Sequence, residues 1–158
     1  MNLYIKRIVF LATIPIVLFS LKTNSIATNI VLSLTAPDPS IVQKGGNLEF
    51  QVTITNNTDQ AGTVHFATKV TLPNGNTYPA SGYLVGPKKV TLNPHQSKSS
   101  QLSHTMPGSA QVGTYTYHGY VGKPGVGVMA ADQFDFQVID PSQGSNWDEM
   151  HWDQGHWD

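Results

Sequence analysis

A short repeat at the C-terminus carries the residues most able to do chemistry, since the chain closes with NWDEMHWDQGHWD. Both histidines in it stand next to tryptophan-aspartate pairs, and imidazole nitrogens with nearby carboxylates can bind zinc or copper. The candidate metal ligands are His151, His156, Asp153 and Asp158, helped by Asp148. Against this, the spacing of five residues is no established ligand pattern, and ordering a flexible segment costs about 1–2 kcal/mol per residue. Metal binding is therefore one interpretation of the repeat.

The same repeat holds every tryptophan of the sequence, Trp147, Trp152 and Trp157. A step of five residues turns by about 140° on a helix and changes sides on a strand, so the three indoles share a face of neither element. The spacing favours an extended or irregular segment. Indoles bury a large area on contact and dominate interface energetics. Docking onto a partner is therefore a second interpretation, and a disordered tail without a specific role is a third.

Another candidate contact surface lies in the segment GKPGVGVMAAD at 122–132, which combines glycines with an apolar stretch. Its apolar side chains include Val126, Val128 and Met129, which are costly to leave in water as one patch. Either the segment folds back as an edge strand or a cap on the core, or it forms a contact surface for a partner.

Catalytic signatures are missing from the sequence. It contains no cysteine nucleophile, no G-x-S-x-G elbow and no H-E-x-x-H zinc helix. The remaining histidines fall on separate predicted strands and turns, where a lone histidine is more often solvent-facing or hydrogen-bonded than a ligand. They are His65, His95, His104 and His118. The sequence therefore predicts a protein that is not an enzyme and needs no cofactor.

One motif matches a glycosylation signal. Asn56 opens the triplet NNT, which matches the acceptor pattern for N-glycosylation. The pattern is common by chance, and in a bacterial host we expect this asparagine to be bare.

Residues 1–27 have the three-part pattern of a secretory signal. Lys6 and Arg7 precede an apolar run at 8–21, and small residues follow where a signal peptidase would read them. The run of about 14 residues is shorter than the roughly 20 needed to cross a hydrocarbon core. We expect cleavage after Ala27, no membrane span in the mature chain, and a secreted, periplasmic or cell-surface location.

The charge of the expected mature chain, 28–158, argues against a nucleic-acid partner. It has six lysines and no arginine against ten acidic residues, a formal charge of −4. Such a chain offers no basic surface to neutralise phosphates. The sequence also lacks cysteine, so an exported domain must be held together by packing without disulfides.

Alternation of apolar and polar residues predicts the elements that position these candidates, and it is most regular in LEFQVTITN at 48–56. The same period predicts further strands at 30–35, 63–72, 77–85, 89–92, 98–106, 113–122 and 132–140. Asn74-Gly75 is a strong hairpin signal between two of them. No segment outside the signal has a helical period, so the pattern predicts an all-β domain.

About seven short strands separated by turns favour an antiparallel two-sheet sandwich over 28–140, with a closed barrel as the second choice. A linker-like run, PSQGSN, then begins an irregular tail over 141–158. Eight residues on the apolar sides of the strands are expected to face the core. They are Phe50, Val52, Ile54, Phe66, Val70, Val121, Phe134 and Phe136.

Three segments together resemble a known family: VTITNNT at 52–58, PGSAQVGTYTYHGYVG at 107–122 and FDFQVID at 134–140. They resemble the immunoglobulin-like sandwich domains of secreted bacterial surface proteins, the cell-adhesion-related bacterial domains. The resemblance covers about 28–140 and implies an adhesion, spacer or docking role.

Immunoglobulin-like order has two further consequences. It makes Tyr115 a candidate for a tyrosine corner, whose hydroxyl bonds backbone near the preceding loop, although Tyr115 and Tyr117 also suit ordinary core positions. It also places the segments 56–62 and 122–132 at one end of the sandwich. Three other parts of the chain would lie at the opposite end: 73–76, 106–113 and the start of the tail.

These observations together predict an exported, non-catalytic binding or surface-interaction module. Its expected partner is an envelope protein or a glycan, with the tryptophan-rich tail as a docking segment. The alternative is a periplasmic metal-binding protein that uses the His-Trp-Asp tail.

Overall fold

The computed structural model describes residues 29–142. This range is all-β, as predicted, and contains nine strands and no helix. The strands are β1 (Ile30–Thr35), β2 (Ile41–Gln43), β3 (Asn47–Asn56), β4 (Gly62–Thr71), β5 (Thr77–Tyr78), β6 (Val85–Leu92), β7 (Ser97–Thr105), β8 (Gly113–Lys123) and β9 (Gly127–Ile139).

The strands form two sheets, which confirms the sandwich. The smaller sheet has the order β1-β3-β7, and the larger has the order β2-β9-β8-β4-β5, with β6 also paired to β4. All pairs are antiparallel except the short parallel pair of β2 with β9. Phe50 of the smaller sheet lies 4.5 Å from Tyr117 and 5.1 Å from Phe134 of the larger one, measured between ring centroids. The core therefore lies between the two sheets.

Burial alternates along β3 as the sequence predicts. Leu48, Phe50, Val52 and Ile54 are buried, whereas Glu49 and its polar neighbours along the first half of the strand are exposed. A slip of one residue would turn the apolar set to water, so burial fixes the register. The eight residues predicted to face inward all do so: seven are buried, and Phe134 packs partly buried against them.

Two strand predictions are wrong in part. The predicted strand 77–85 is only the two-residue β5, and pairing resumes with β6 at Val85, which absorbs the predicted strand 89–92. Pro79 lacks an amide proton for a ladder, and Gly82 has a φ of 73°, which extended strands do not use. The three-residue β2 was not predicted, because so short a run shows no period.

The segment 122–132 is a β-hairpin that prolongs β8 and β9. Lys123 pairs with Gly127, and Gly122 pairs with Val128. Gly125 and Gly127 have φ angles of 77° and 97°, which glycine adopts without strain in a tight turn. The alternative in which this segment folds back as strand is therefore the correct one for its backbone.

Tyr115 forms the predicted tyrosine corner. Its hydroxyl donates to the backbone oxygen of Gln111 at 2.7 Å. Burial raises the pKa of this hydroxyl, while the bond to Gln111 and the charge of Lys44 oppose that rise. Tyr117, two residues on, is completely buried as a core residue.

We expect Tyr115→Phe to lower the free energy of unfolding by about 1 kcal/mol, because the carbonyl of Gln111 loses its donor. Chemical denaturation measures the loss. Tyr78→Phe is a matched control, since Tyr78 is exposed and its hydroxyl has no hydrogen bond within residues 29–142. Equal losses in both variants would show that the corner does not stabilise the fold.

The chain enters and leaves the described structure at opposite ends of the sandwich. Asn29 lies beside the β3–β4 turn, where its carbonyl accepts from the amide of Asn57 at 2.7 Å. Asp140 lies at the other end, where its carboxylate binds Lys44 at 2.8 Å. Met129 lines a space next to Thr58, and Pro73 contacts Gly113, so the turns are distributed between the ends as predicted.

Candidate functional site

A groove of about 520 Å³ lies on the outer face of the larger sheet, the face turned away from the core. Its floor is formed by His65 and Ala67 of β4 and by Tyr120 and Gly122 of β8. His65, Tyr120 and Gly122 alternate with buried residues such as Val64 and Val121, so strand geometry turns them outward. Ala67 shares their side of β4, although only 6% of it is exposed. His65 pairs with Gly122 and Ala67 pairs with Tyr120, which brings all four together. We call this concavity the outer-face groove.

The walls of the outer-face groove come from both sides of these two strands. Tyr83 and Pro87, from the connection into β6 and from β6 itself, line one side. Lys123, Pro124 and Val128 of the β8–β9 hairpin line the other. The groove therefore lies between these two sides, and the small residues Ala67 and Gly122 leave space between the larger floor side chains.

Two tyrosines line the outer-face groove, and each has a cationic or imidazole neighbour beside the groove. Tyr83 is 46% exposed, and the ammonium of Lys69 lies 5.6 Å from its ring centroid, within cation–π range. The His118 ring stacks on Tyr120 at 6.3 Å and is fixed by a 2.8 Å hydrogen bond between its Nε2 and Thr71. Tyr83 and Tyr120 therefore offer oriented rings for stacking.

His65 contributes an unusual polar atom. Its Nδ1 is buried and has no hydrogen-bond partner within residues 29–142. An unpaired buried polar atom costs about 1–3 kcal/mol, so native proteins keep few of them, and often at sites that have a function. Among the residues that line the outer-face groove, His65 is the one whose buried side-chain nitrogen has no hydrogen-bond partner within residues 29–142.

The predicted contact residues of the hairpin separate in the structure. Val126 is 71% exposed at the hairpin tip, and Val128 is 66% exposed on the wall of the outer-face groove. Met129, by contrast, packs partly buried against the core. Val128 therefore adds apolar surface to the groove, Val126 lies beyond its lining at the hairpin tip, and Met129 belongs to the packing of the core.

The tail candidates lie outside the described residues. They are Trp147, Trp152, Trp157, His151, His156, Asp153 and Asp158.

The histidines of the sandwich do not converge. Residues 29–142 contain no group of three or more histidine, cysteine, aspartate or glutamate side chains that could hold a metal ion. His95 pairs with Asp59 at 2.7 Å on the surface, and His118 pairs with Thr71. The prediction that these side chains are hydrogen-bonded is correct for both.

His104 belongs to a hydrogen-bonded chain inside the sandwich. Tyr117 donates to Thr68 at 3.0 Å, so the Nε2 of His104 must carry a proton and donate to the Tyr117 oxygen at 2.8 Å. Burial raises the pKa of Tyr117 to about 12 and lowers the pKa of His104. Both groups are therefore neutral at pH 7, as the core requires.

Sequence reasoning missed the outer-face groove because it followed the apolar faces of the strands. The signal was present in the polar faces: His65 and Lys69 alternate with core residues in β4, and His118 and Tyr120 do so in β8. What the alternation alone does not reveal is that these two strands are neighbours.

Asn56, the glycosylation candidate, has a structural role. Only 1% of the residue is exposed, and its amide donates to the carbonyls of Gln60 at 2.8 Å and Asn93 at 3.0 Å. The folded chain offers this nitrogen to no modifying enzyme.

The comparison with known proteins rests on structure, because no family model and no curated protein matches the sequence. The CARDB domain of a Pyrococcus furiosus protein, solved in complex with di-metal ions, matches 70% of this chain and 87% of its own, with 17% identity and a TM-score of 0.51. A solution structure of that domain covers 70% of this chain and 94% of its own, with 20% identity and a TM-score of 0.50.

A catalytic protein contains a similar sandwich as one part of a longer chain. The alkylpurine DNA glycosylase of Pseudomonas fluorescens, bound to DNA with an abasic site analog, matches with 10% identity and a TM-score of 0.52. The match covers 70% of this chain and 30% of the glycosylase. At these identities the likeness concerns the fold alone.

Within residues 29–142 no helix has the length and apolarity to span a membrane. The two sheets, their nine described strands and the solved neighbours agree on one architecture. Residues 29–142 form an immunoglobulin-like β-sandwich similar in fold to CARDB domains, the cell-adhesion-related domains.

Proposed function

We propose that the protein is an exported, non-catalytic binding module that holds a component of the cell envelope in its outer-face groove. The observation that carries the proposal is the groove itself, with the rings of Tyr83 and Tyr120, the exposed Lys123 and the imidazole of His65 lining one concavity. Binding pockets commonly have volumes of about 300–1,000 Å³ and combine apolar walls with few polar groups. The outer-face groove has both properties.

The side chains at the groove are those that dominate binding energy elsewhere. Tyrosine is enriched among the residues that lose most binding energy on truncation to alanine. Two tyrosine rings and the exposed Val128 offer apolar area, and the ammonium of Lys123 can orient a polar ligand. A sugar ring, which has apolar faces and hydroxyl edges, suits this mixture, and so does a tyrosine-rich or acidic protein segment.

The proposal that the module is non-catalytic rests on the chemistry of the side chains. The outer face does hold a hydroxyl–imidazole pair, Thr71 with His118 at 2.8 Å. Activation of such a hydroxyl normally needs a third group that orients the imidazole. Within residues 29–142 no carboxylate bonds His118. The similarity in fold to cell-adhesion-related domains also favours adhesion over catalysis.

Export and surface location are proposed from the N-terminal signal, and envelope components are therefore the partners within reach. The metal-binding alternative depends on tail residues outside the described range and stays a prediction.

We expect Tyr83→Ala and Tyr120→Ala each to weaken binding to isolated envelope material by about tenfold or more, which corresponds to about 1.4 kcal/mol. Both substitutions remove a ring that lines the groove. A pull-down with the chain 28–158 at graded concentrations measures the affinity. Tyr78→Ala is the matched control, because Tyr78 is also exposed but lies outside the groove.

Pretreatment of the envelope material separates the two partner classes. Protease treatment abolishes binding if the partner is a protein, and periodate oxidation abolishes it if the partner is a glycan. Undiminished binding of both groove variants would contradict the proposal. If removal of residues 142–158 then abolished binding, the tail and not the groove would be the binding segment.

A further inference from the structure

A second concavity, of about 410 Å³, opens between the two sheets at the end where Asp140 lies. We call it the end cleft. One wall is formed by Leu48 and by Met106 and Ala110 of the β7–β8 connection, and the other by Leu72 and Tyr115 of the larger sheet. The sandwich is therefore not closed at this end by its own described residues.

The end cleft presents apolar surface that the described fold leaves partly uncovered. Leu72, Leu84, Met106 and Ala110 all line it and all pack against the core, yet each is only partly buried. Covering apolar area that would otherwise face water is favourable. An apolar group that entered the cleft would complete the packing of this end.

The chain leaves the described structure directly beside this cleft. Asp140 binds the ammonium of Lys44 at 2.8 Å, and the Lys44 amide donates to Ile139 at 2.9 Å. The next residue, Gly45, donates its amide to Met106 at 3.0 Å. Because Met106 lines the cleft, a short run of direct contacts connects the exit of the chain to the cleft wall.

The residues that follow include the only indoles of the protein. Trp147 stands five residues beyond Ser142, so an extended chain carries it up to about 17 Å from that point. Trp152 and Trp157 reach roughly 34 and 50 Å by the same measure. Trp147 is thus the large apolar side chain of the tail that is tethered nearest to the end cleft.

We propose that the end cleft binds the indole of Trp147 from the same chain. An indole offers about 150–250 Å² of surface and one N–H donor. The hydroxyls of Thr105 and Ser109 at the cleft can accept that donor. A short tether gives an effective concentration on the order of millimolar, so a weak contact is enough to fill the site. This inference does not depend on the outer-face groove.

Tryptophan emission tests the proposal, since every indole lies in the tail. In the chain 28–158, with Trp152 and Trp157 replaced by phenylalanine and a metal chelator present, Trp147 should emit at a clearly shorter wavelength than in a peptide of residues 141–158 with the same replacements. Ala110→Glu should return the emission to that of the peptide. Ala61→Glu, the same change on an exposed residue at the opposite end, should leave it unchanged.

Ala110→Glu could fail to fold, so Met106→Gln serves as a second variant of the cleft lining and should also return the emission to that of the peptide. Circular dichroism shows whether each variant is folded. The proposal would be overturned if Trp147 in the chain 28–158 emitted at the same wavelength as in the peptide. It would also be overturned if the folded cleft variants kept the shorter wavelength. The same shift in a chain that keeps Trp152 and Trp157 but has Trp147→Phe would contradict it too. A shift that fades on dilution would also overturn it, because it would indicate a second copy. Tyr83→Ala should not move the emission, so this test and the test of the outer-face groove fail independently.

Discussion

Phe50→Ala should lower the free energy of unfolding by about 3–5 kcal/mol, the cost typical of a large cavity in a rigid core. Phe50 is 1% exposed and contacts three rings: Tyr117, Phe134 and His104, at centroid distances of 4.5, 5.1 and 6.0 Å. Its ring joins the two sheets, so its loss removes contacts on both sides. Denaturant unfolding followed by circular dichroism measures the change.

The size of that loss also tests the register of β3. Val126→Ala is the control, because Val126 is highly exposed and its truncation should change stability by less than about 0.5 kcal/mol. A loss below about 1 kcal/mol for Phe50→Ala would mean that Phe50 does not occupy the core and that the strand is shifted.

Asn56→Ala should cost roughly 2–4 kcal/mol, because several buried groups lose their partners together. The Asn56 amide binds the carbonyls of Gln60 and Asn93, and its oxygen accepts from the amide of Thr58 at 3.1 Å and from its hydroxyl at 2.8 Å. One side chain thus holds the β3–β4 turn against the turn before β7. Thermal or denaturant unfolding measures the loss.

The neighbouring residue supplies the control for this experiment. Asn57 is exposed, and its side chain makes no hydrogen bond within residues 29–142. Asn57→Ala should therefore stay within about 0.5 kcal/mol of the unchanged chain. Comparable losses at the two positions would show that the network around Asn56 contributes little.

Much of the fold could be predicted because local alternation and burial agree. β1 matches its predicted bounds, and β3 extends one residue before them, since each such strand has one apolar and one polar face. The tyrosine corner at Tyr115 was predictable for a different reason. It follows from the position of a tyrosine relative to the preceding loop, and the resemblance supplied that position.

The rest depends on contacts between distant parts of the chain. β2 is held by parallel pairing with β9, nearly a hundred residues away, and three residues carry no period that reveals it. The break after Tyr78 could have been inferred from Pro79 and Gly82, whose effect on pairing outweighs the alternation around them.

The candidate site also has features that the local pattern predicts and features that depend on contacts between distant strands. That Val126 and Val128 are exposed could be predicted from an apolar run in a glycine-rich segment. The outer-face groove could not, because Tyr83 and Tyr120 meet only through the pairing of β4 with β6 and β8. The burial of Asn56 could not be predicted either, since a glycosylation motif of three residues does not report burial.

The positions at which the chain enters and leaves the sandwich determine how it would respond to mechanical force. Asn29 lies at one end and Asp140 at the other, and the first strand pairs with β3 while the last pairs with β8. A pull on the two ends would therefore load the β1–β3 and β8–β9 ladders in shear. Their hydrogen bonds lie perpendicular to the strands and would share the load instead of opening one after another.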